Sequence, residues 1–136
     1  MPNAMPNTMR DTQQGGSGPF VMGAETPWEA VADGVRRRVL GHGPDLMMVV
    51  VEFERGAVGT LHHHPHRQVS YVVSGSFDTT VGGETRTLGA GDCFFTVADV
   101  EHGVVAREPG TLIDVFTPAR EEFLRGAASP TPSEQR

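Results

Sequence analysis

The chain has one cysteine in 136 residues. That residue, Cys93, excludes an intrachain disulfide framework and fits a reducing compartment. Set in the apolar run with Phe94 and Phe95, its thiol is expected to be buried filler rather than a nucleophile. No stretch reaches the roughly 20 apolar residues of a membrane span. The N-terminus has no positively charged start leading into an apolar segment, as a secretory leader would have, and the expected location is the cytoplasm. Positive charge is also scarce, because 11 Lys and Arg against 17 Asp and Glu leave a net charge of -6. With no basic run and no interleaving of basic and aromatic residues, nucleic acid is excluded as a partner. An anionic ligand must then find local positive charge. Trp28 and Tyr71, one of each type in the chain, are read as packing residues rather than stacking platforms. Helical periodicity is confined to 28–31, weakly, and 119–124.

What is present has the period of strands. The segments 35–40, 46–54, 68–74, 76–81, 84–88, 93–97, 102–106 and 111–116 are short, rich in β-branched or aromatic residues, and separated by glycine-bearing turns. Gly82-Gly83 reads as a two-residue hairpin loop. Many short strands at close spacing predict an all-β sandwich or barrel. The length bounds one domain, with a flexible lead-in over 1–17, the barrel over 18–125 and a loose Ser/Pro-bearing tail over 126–136.

Against this frame stands His62-His63-His64-Pro65-His66-Arg67-Gln68. On a strand successive side chains alternate faces, so His62 and His64 point the same way and His63 the other. Two imidazoles on one face converge on one ion. Gln68, at even spacing from His64, adds an amide oxygen, and His102 completes the set from another strand. A solvated polar loop is the competing reading of the run, but it gives no reason for the later histidine. His66 reads as a mouth residue or alternate ligand because Pro65 disturbs the ladder, His42 as a solvated turn residue, and Asp99 and Glu101 as groups that orient the His102 ring.

The spacing resembles the two motifs of the cupins. In the first, Gln68 stands where the family usually has an acidic residue and Gly75 closes the motif. In the second, Gly91-Asp92 and His102 fit, while Val97 and Asp99 replace the usual proline and glycine. The resemblance implies a single-domain, RmlC-like jelly-roll β-barrel with a short C-terminal helix. It implies a homodimer too, for which Pro19-Phe20-Val21-Met22 is a plausible edge strand crossing to the partner.

The stretch from Leu112 to Leu124, with the His-x-His-Pro-His-x-Gln run, is further similar to the pectin-degradation cupins of the KdgF type. By that resemblance the function is opening a cyclic 4,5-unsaturated uronate to the linear keto-sugar acid. His62, His64, Gln68 and His102 would hold a divalent transition metal (nickel, zinc, manganese or iron), and Asp114, Phe116 and Arg120 would line the substrate site. Asp114 would serve as the base, Arg120 as a fork for the substrate carboxylate, and Phe116 as a face for the sugar. Arg67 departs from the family's glutamate and, placed at the mouth, would alter substrate choice. An iron-dependent cupin dioxygenase and a non-enzymatic metal or sugar-acid binder are the alternative functions.

Overall fold

The computed structural model describes residues 16–124. The elements in chain order are β1 (Glu29–Ala32), β2 (Val35–Gly43), β3 (Leu46–Phe53), β4 (Val58–His62), β5 (Arg67–Val81), β6 (Glu84–Gly89), β7 (Cys93–Thr96) and β8 (His102–Thr117). All the pairings are antiparallel, in the order β1-β2-β3-β8-β5-β6, with β4 on β8 and β7 on β5.

β5 and β8 are long enough to serve two faces. Their segments from Gln68 and up to Phe116 pair with each other and with β7 and β3, whereas the segments holding Thr79 and Val104 pair with each other and with β6 and β4. The change of face falls where the β5–β8 register shifts, between Val72 and Phe77. Gly75 (φ +91) sits there, and a Cβ on it would meet the Gly110 Cα at 2.6 Å. A side chain at either glycine would hold the crossing strands apart, so the bend depends on the pair. The segments 68–74 and 76–81, expected as two strands, are therefore one bent strand. The segments 102–106 and 111–116 likewise merge into β8.

Between the faces lies the apolar core. Inward residues alternate along each strand, for example Met47, Val49, Val51 and Phe53 on β3, and Phe53 meets Phe77 edge to face at 5.2 Å. The same alternation overturns the expectation for Cys93. Phe94 and Thr96 point inward, so Cys93 and Phe95 face outward, and the thiol is exposed.

Both helical expectations are also corrected. The residues expected as weak helix around Trp28 form β1, which pairs with β2 through Glu29 opposite Arg37. Trp28 receives the Arg36 and Arg38 guanidiniums at 4.0 and 4.2 Å. In place of a C-terminal helix there is one 3-10 turn, Glu121–Leu124, closed by the Phe123 N–H on the Arg120 carbonyl at 2.9 Å. Ala119 and Arg120 are drawn into the barrel, and a single turn is below the length at which an α-helix sustains itself. His42 is not in a turn but in β2 opposite Met47, half-buried, and Tyr71 is on the outer face, 49% exposed. β4, interrupted by Gly59, is absent from the expected strand segments, although the parity argument already set His62 on a strand. The expected tail and nearly all of the expected lead-in fall outside the described residues.

Candidate metal centre

β4 ends at His62 opposite His102 of β8, and the turn into β5 carries His64 back over the same spot. Close approach of the two strands depends on Gly103, where a Cβ would come within 2.7 Å of the Gly59 carbonyl oxygen and 2.9 Å of the Leu61 nitrogen. The His62, His64 and His102 rings are 4.5 to 5.4 Å apart by their centres. One nitrogen from each falls within 4.8 Å of the others. Gln68 reaches the cluster from β5 on the other face, placing Oε1 3.0 Å from His64 Nε2 and 3.2 Å from His102 Nε2. The four expected ligands are brought together from two strands of one face, a loop and a strand of the other. His64 is not on a strand as the parity argument assumed, since its turn achieves the same convergence.

The hydrogen bonds of the rings test whether a cation fits. Each ring sets Nδ1 against a backbone carbonyl: His62 on Thr60 at 2.6 Å, His64 on His66 at 2.9 Å, and His102 on Val100 at 2.8 Å. A neutral imidazole carries one N–H, and an acceptor beside Nδ1 assigns it there. The Nε2 atoms therefore present lone pairs. Gln68 donates through Nε2 to Ser70 Oγ at 2.8 Å, which turns its Oε1 toward those nitrogens. Lone pairs converging at about 3 Å repel one another unless a proton or a cation lies between them, and three imidazoles with an amide oxygen suit a divalent transition ion. Burial, the nearby Arg120 charge and the other two rings together bring the His64 pKa down to about 4. Burial, first, also lowers His102. Both rings are thereby kept in the neutral, ligating form.

Backbone carbonyls, not Asp99 or Glu101, orient the rings. Asp99 instead approaches the exposed His63 at 3.9 Å. His66 does not line the cavity. Its buried Nδ1 lacks a partner among the described residues, and burial lowers its pKa. Arg67 leaves β5 on the opposite face from Gln68, lies over Phe95 at 5.4 Å and is not among the residues lining the cavity.

From the ligands a cavity of about 210 Å³ extends into the barrel, lined by Gln68, His62, His102, Asp114, Phe116 and Arg120 among others. Gln68 passes its hydrogen bond to Ser70, and Ser70 Oγ donates to Asp114 Oδ1 at 2.5 Å. Burial pushes the Asp114 pKa up to about 6, against the pull of the Ser70 hydrogen bond and the Arg120 charge. Arg120, 2% exposed, donates from Nε to Glu122 at 2.7 Å and has the Phe116 and Phe123 rings at 5.2 and 4.5 Å. Among the described residues Asp114 accepts from Ser70, and Arg120 donates to Glu122. Ser70 was missed from sequence, although its even spacing from Gln68 on one strand was a usable signal. Arg37, which also lines the cavity, was missed as well.

A two-faced all-β barrel with imidazoles converging from one strand pair and the adjoining turn is cupin architecture, and the cupin domain family matches residues 49–116. The chain belongs to the cupin family. Within it, the chain is 48% identical over 102 residues to the pectin degradation protein KdgF of Dickeya dadantii (strain 3937), an alignment covering 74% of this chain and 93% of that protein. Among solved structures it is similar to an RmlC-like cupin of Shewanella frigidimarina NCIMB 400, with TM-score 0.78 and 45% identity over 79% of this chain and 97% of that one. KdgF of a Halomonas species is similar at TM-score 0.75 and 44% identity, over 79% and 99% of the two chains.

Proposed function

We propose that the protein is a metal-dependent isomerase that opens a cyclic 4,5-unsaturated uronate to the linear keto-uronate. The observation that carries the reading is the Gln68–Ser70–Asp114 chain, which joins the ligand set to a carboxyl poised near neutrality inside the same cavity. Its likeness to a protein named for pectin degradation, KdgF of Dickeya dadantii, supports the sugar-acid class.

A divalent ion bound by the four ligands, all of them neutral, would keep its full charge and polarise a sugar oxygen. The chain's own residues supply the rest. Opening requires loss of the hemiacetal O–H proton as the C1–O5 bond breaks and C1=O forms. Ketonisation then places a proton on C4 as the C5 enol becomes a carbonyl. The net change is a proton moved from oxygen to carbon, so one group that both accepts and donates is sufficient. With its pKa raised to about 6, Asp114 can do both near neutral pH. Arg120 presents its guanidinium to the substrate carboxylate, and Phe116 covers a sugar face and excludes water.

Decay of the unsaturated-uronate absorbance, followed with metal-loaded and metal-stripped protein, tests this. Metal-dependent acceleration over spontaneous opening is the expected result. No acceleration with metal demonstrably bound defeats the reading, and oxygen consumption by the iron-loaded form would then identify the dioxygenase.

The reading includes a cytoplasmic location, where an unpaired exposed thiol such as Cys93 stays reduced. It also includes a homodimer, supported by the outer face of the sheet. Met48, Val115, Val69 and Phe95 are neighbours in one row across β3, β8, β5 and β7, and Val50, Ile113, Tyr71 and Cys93 form the next. Met48, Val69, Tyr71 and Phe95 of these rows are exposed, and contiguous exposed apolar side chains of this kind mark an interaction surface. Phe20 and Met22, in the segment expected to cross to a partner, are exposed as well.

A further inference from the structure

The proposed reaction uses one guanidinium, and the cavity holds two. Arg37 projects inward from β2, is 6% exposed and lines the same cavity as Asp114 and Arg120. Its Nε donates to Glu29 Oε1 at 2.9 Å, and among the described residues Glu29 is the one hydrogen-bond partner of that side chain. The Nη groups are left for a ligand. The Arg37 guanidinium carbon lies 3.6 Å from the centre of the Phe123 ring, and that of Arg120 4.5 Å from the same centre. The two carbons are therefore separated by no more than the sum of those distances, about 8 Å. Both guanidiniums thus border the same ring in the same cavity, near enough to each other to act on one small anion beside it.

Two cations in one cavity repel each other, an effect that Glu29 beside Arg37 and Glu122 beside Arg120 offset in part. Burial lowers the Arg37 pKa, and Arg120 adds to the effect against the opposing pull of Glu29. An anion entering between them relieves that repulsion. We propose that Arg37 is a second carboxylate-binding residue, gripping the substrate's acid group together with Arg120 and giving the site its preference for the charged acid over a neutral analogue. Glu29 and Phe123 fix the guanidinium plane, which lowers the ordering cost on binding. The inference rests on the sugar-acid reading. If instead Arg37 only anchors β1 through Glu29, its loss weakens the fold without distinguishing a charged ligand from a neutral one.

The test compares metal-loaded full-length wild type, Arg37→Gln and Arg37→Lys on the unsaturated uronate and on its neutral methyl ester. Loss of a charge-assisted bond predicts a KM for the acid about 10- to 100-fold higher in Arg37→Gln. The loss should appear mainly in KM rather than kcat, with unchanged metal content and equal KM for the ester in both proteins. Arg37→Lys should recover part of the acid preference, and it is read on its own if the glutamine variant does not fold. An unchanged KM for the acid, or an equal rise for acid and ester, overturns the inference while leaving the reaction in place. Wild type that accelerates neither compound removes the reaction and the inference together.

Discussion

At the residue scale the four ligands and the three cavity groups separate by what their loss does. His64→Ala should lose bound metal and turnover together, because it removes one of three imidazoles and leaves two with a neutral amide oxygen, a set with no anionic ligand to hold the ion. Arg120→Ala should retain metal, measured by elemental analysis, while KM rises or turnover disappears. Full activity of Arg120→Ala on every acid tried would remove its role as the carboxylate fork.

Two buried groups give opposite pH dependences in the metal-free protein. Asp114, raised from 3.8 to about 6, contributes stability that is fully present below pH 3.8 and is lost as pH rises through about 6. His64, lowered from 6.5 to about 4, contributes stability present above 6.5 and lost as pH falls through about 4. Asp114→Asn removes the first effect and keeps an acceptor for Ser70. Denaturant titrations should therefore show the variant more stable than wild type at pH 7 by on the order of 2 to 3 kcal/mol, with the gap closing near pH 4, even as turnover is lost. A gap that does not change with pH would place Asp114 in a more hydrated setting than the structure gives it.

At the scale of elements, the site depends on how closely β4 approaches β8. Gly103→Ala puts a methyl against the Gly59 carbonyl oxygen and the Leu61 backbone. It should push the His62 strand away from His102, costing about 1 to 3 kcal/mol and weakening metal affinity more than a surface change of equal stability cost would. Calorimetric metal titration beside thermal melts checks both. Alternation made most strands legible, since inward apolar residues recur every second position along β3 and over much of β8. The errors have local causes. Gly75 reads as a turn in sequence, but it sits where one strand bends against Gly110. β1 is held by pairing with β2 and the Glu29–Arg37 contact rather than by its own propensity, and β4 is a five-residue strand interrupted by Gly59.

At the scale of the whole molecule, the apolar outer face predicts that the protein is a dimer, with Cys93 on that face as the chain's one thiol. Light scattering should give twice the chain mass of 14.6 kDa, and reaction of Cys93 with a bulky maleimide should slow as protein concentration rises. A monomer with concentration-independent labelling would show that this face is not an interface.

The sequence by itself determined the ligand types, the β alternation and the excess of acid over base, because these depend on residue identity and short-range period. His62, His64 and Gln68 could be grouped for the same reason, being within a few residues of one another. Only the tertiary structure decided what meets them. Gln68 and His102 are 34 positions apart, and Ser70 and Asp114 are 44 apart. Such separations are closed by the pairing of β5 with β8 and by the packing of one face on the other. Arg37 is the middle of three consecutive arginines, and it enters the cavity because the pleat of β2 turns it inward while Arg36 faces out. Local pattern carries no information on which distant strand a residue will lie beside, and that neighbour is what makes a buried carboxyl or guanidinium part of a site.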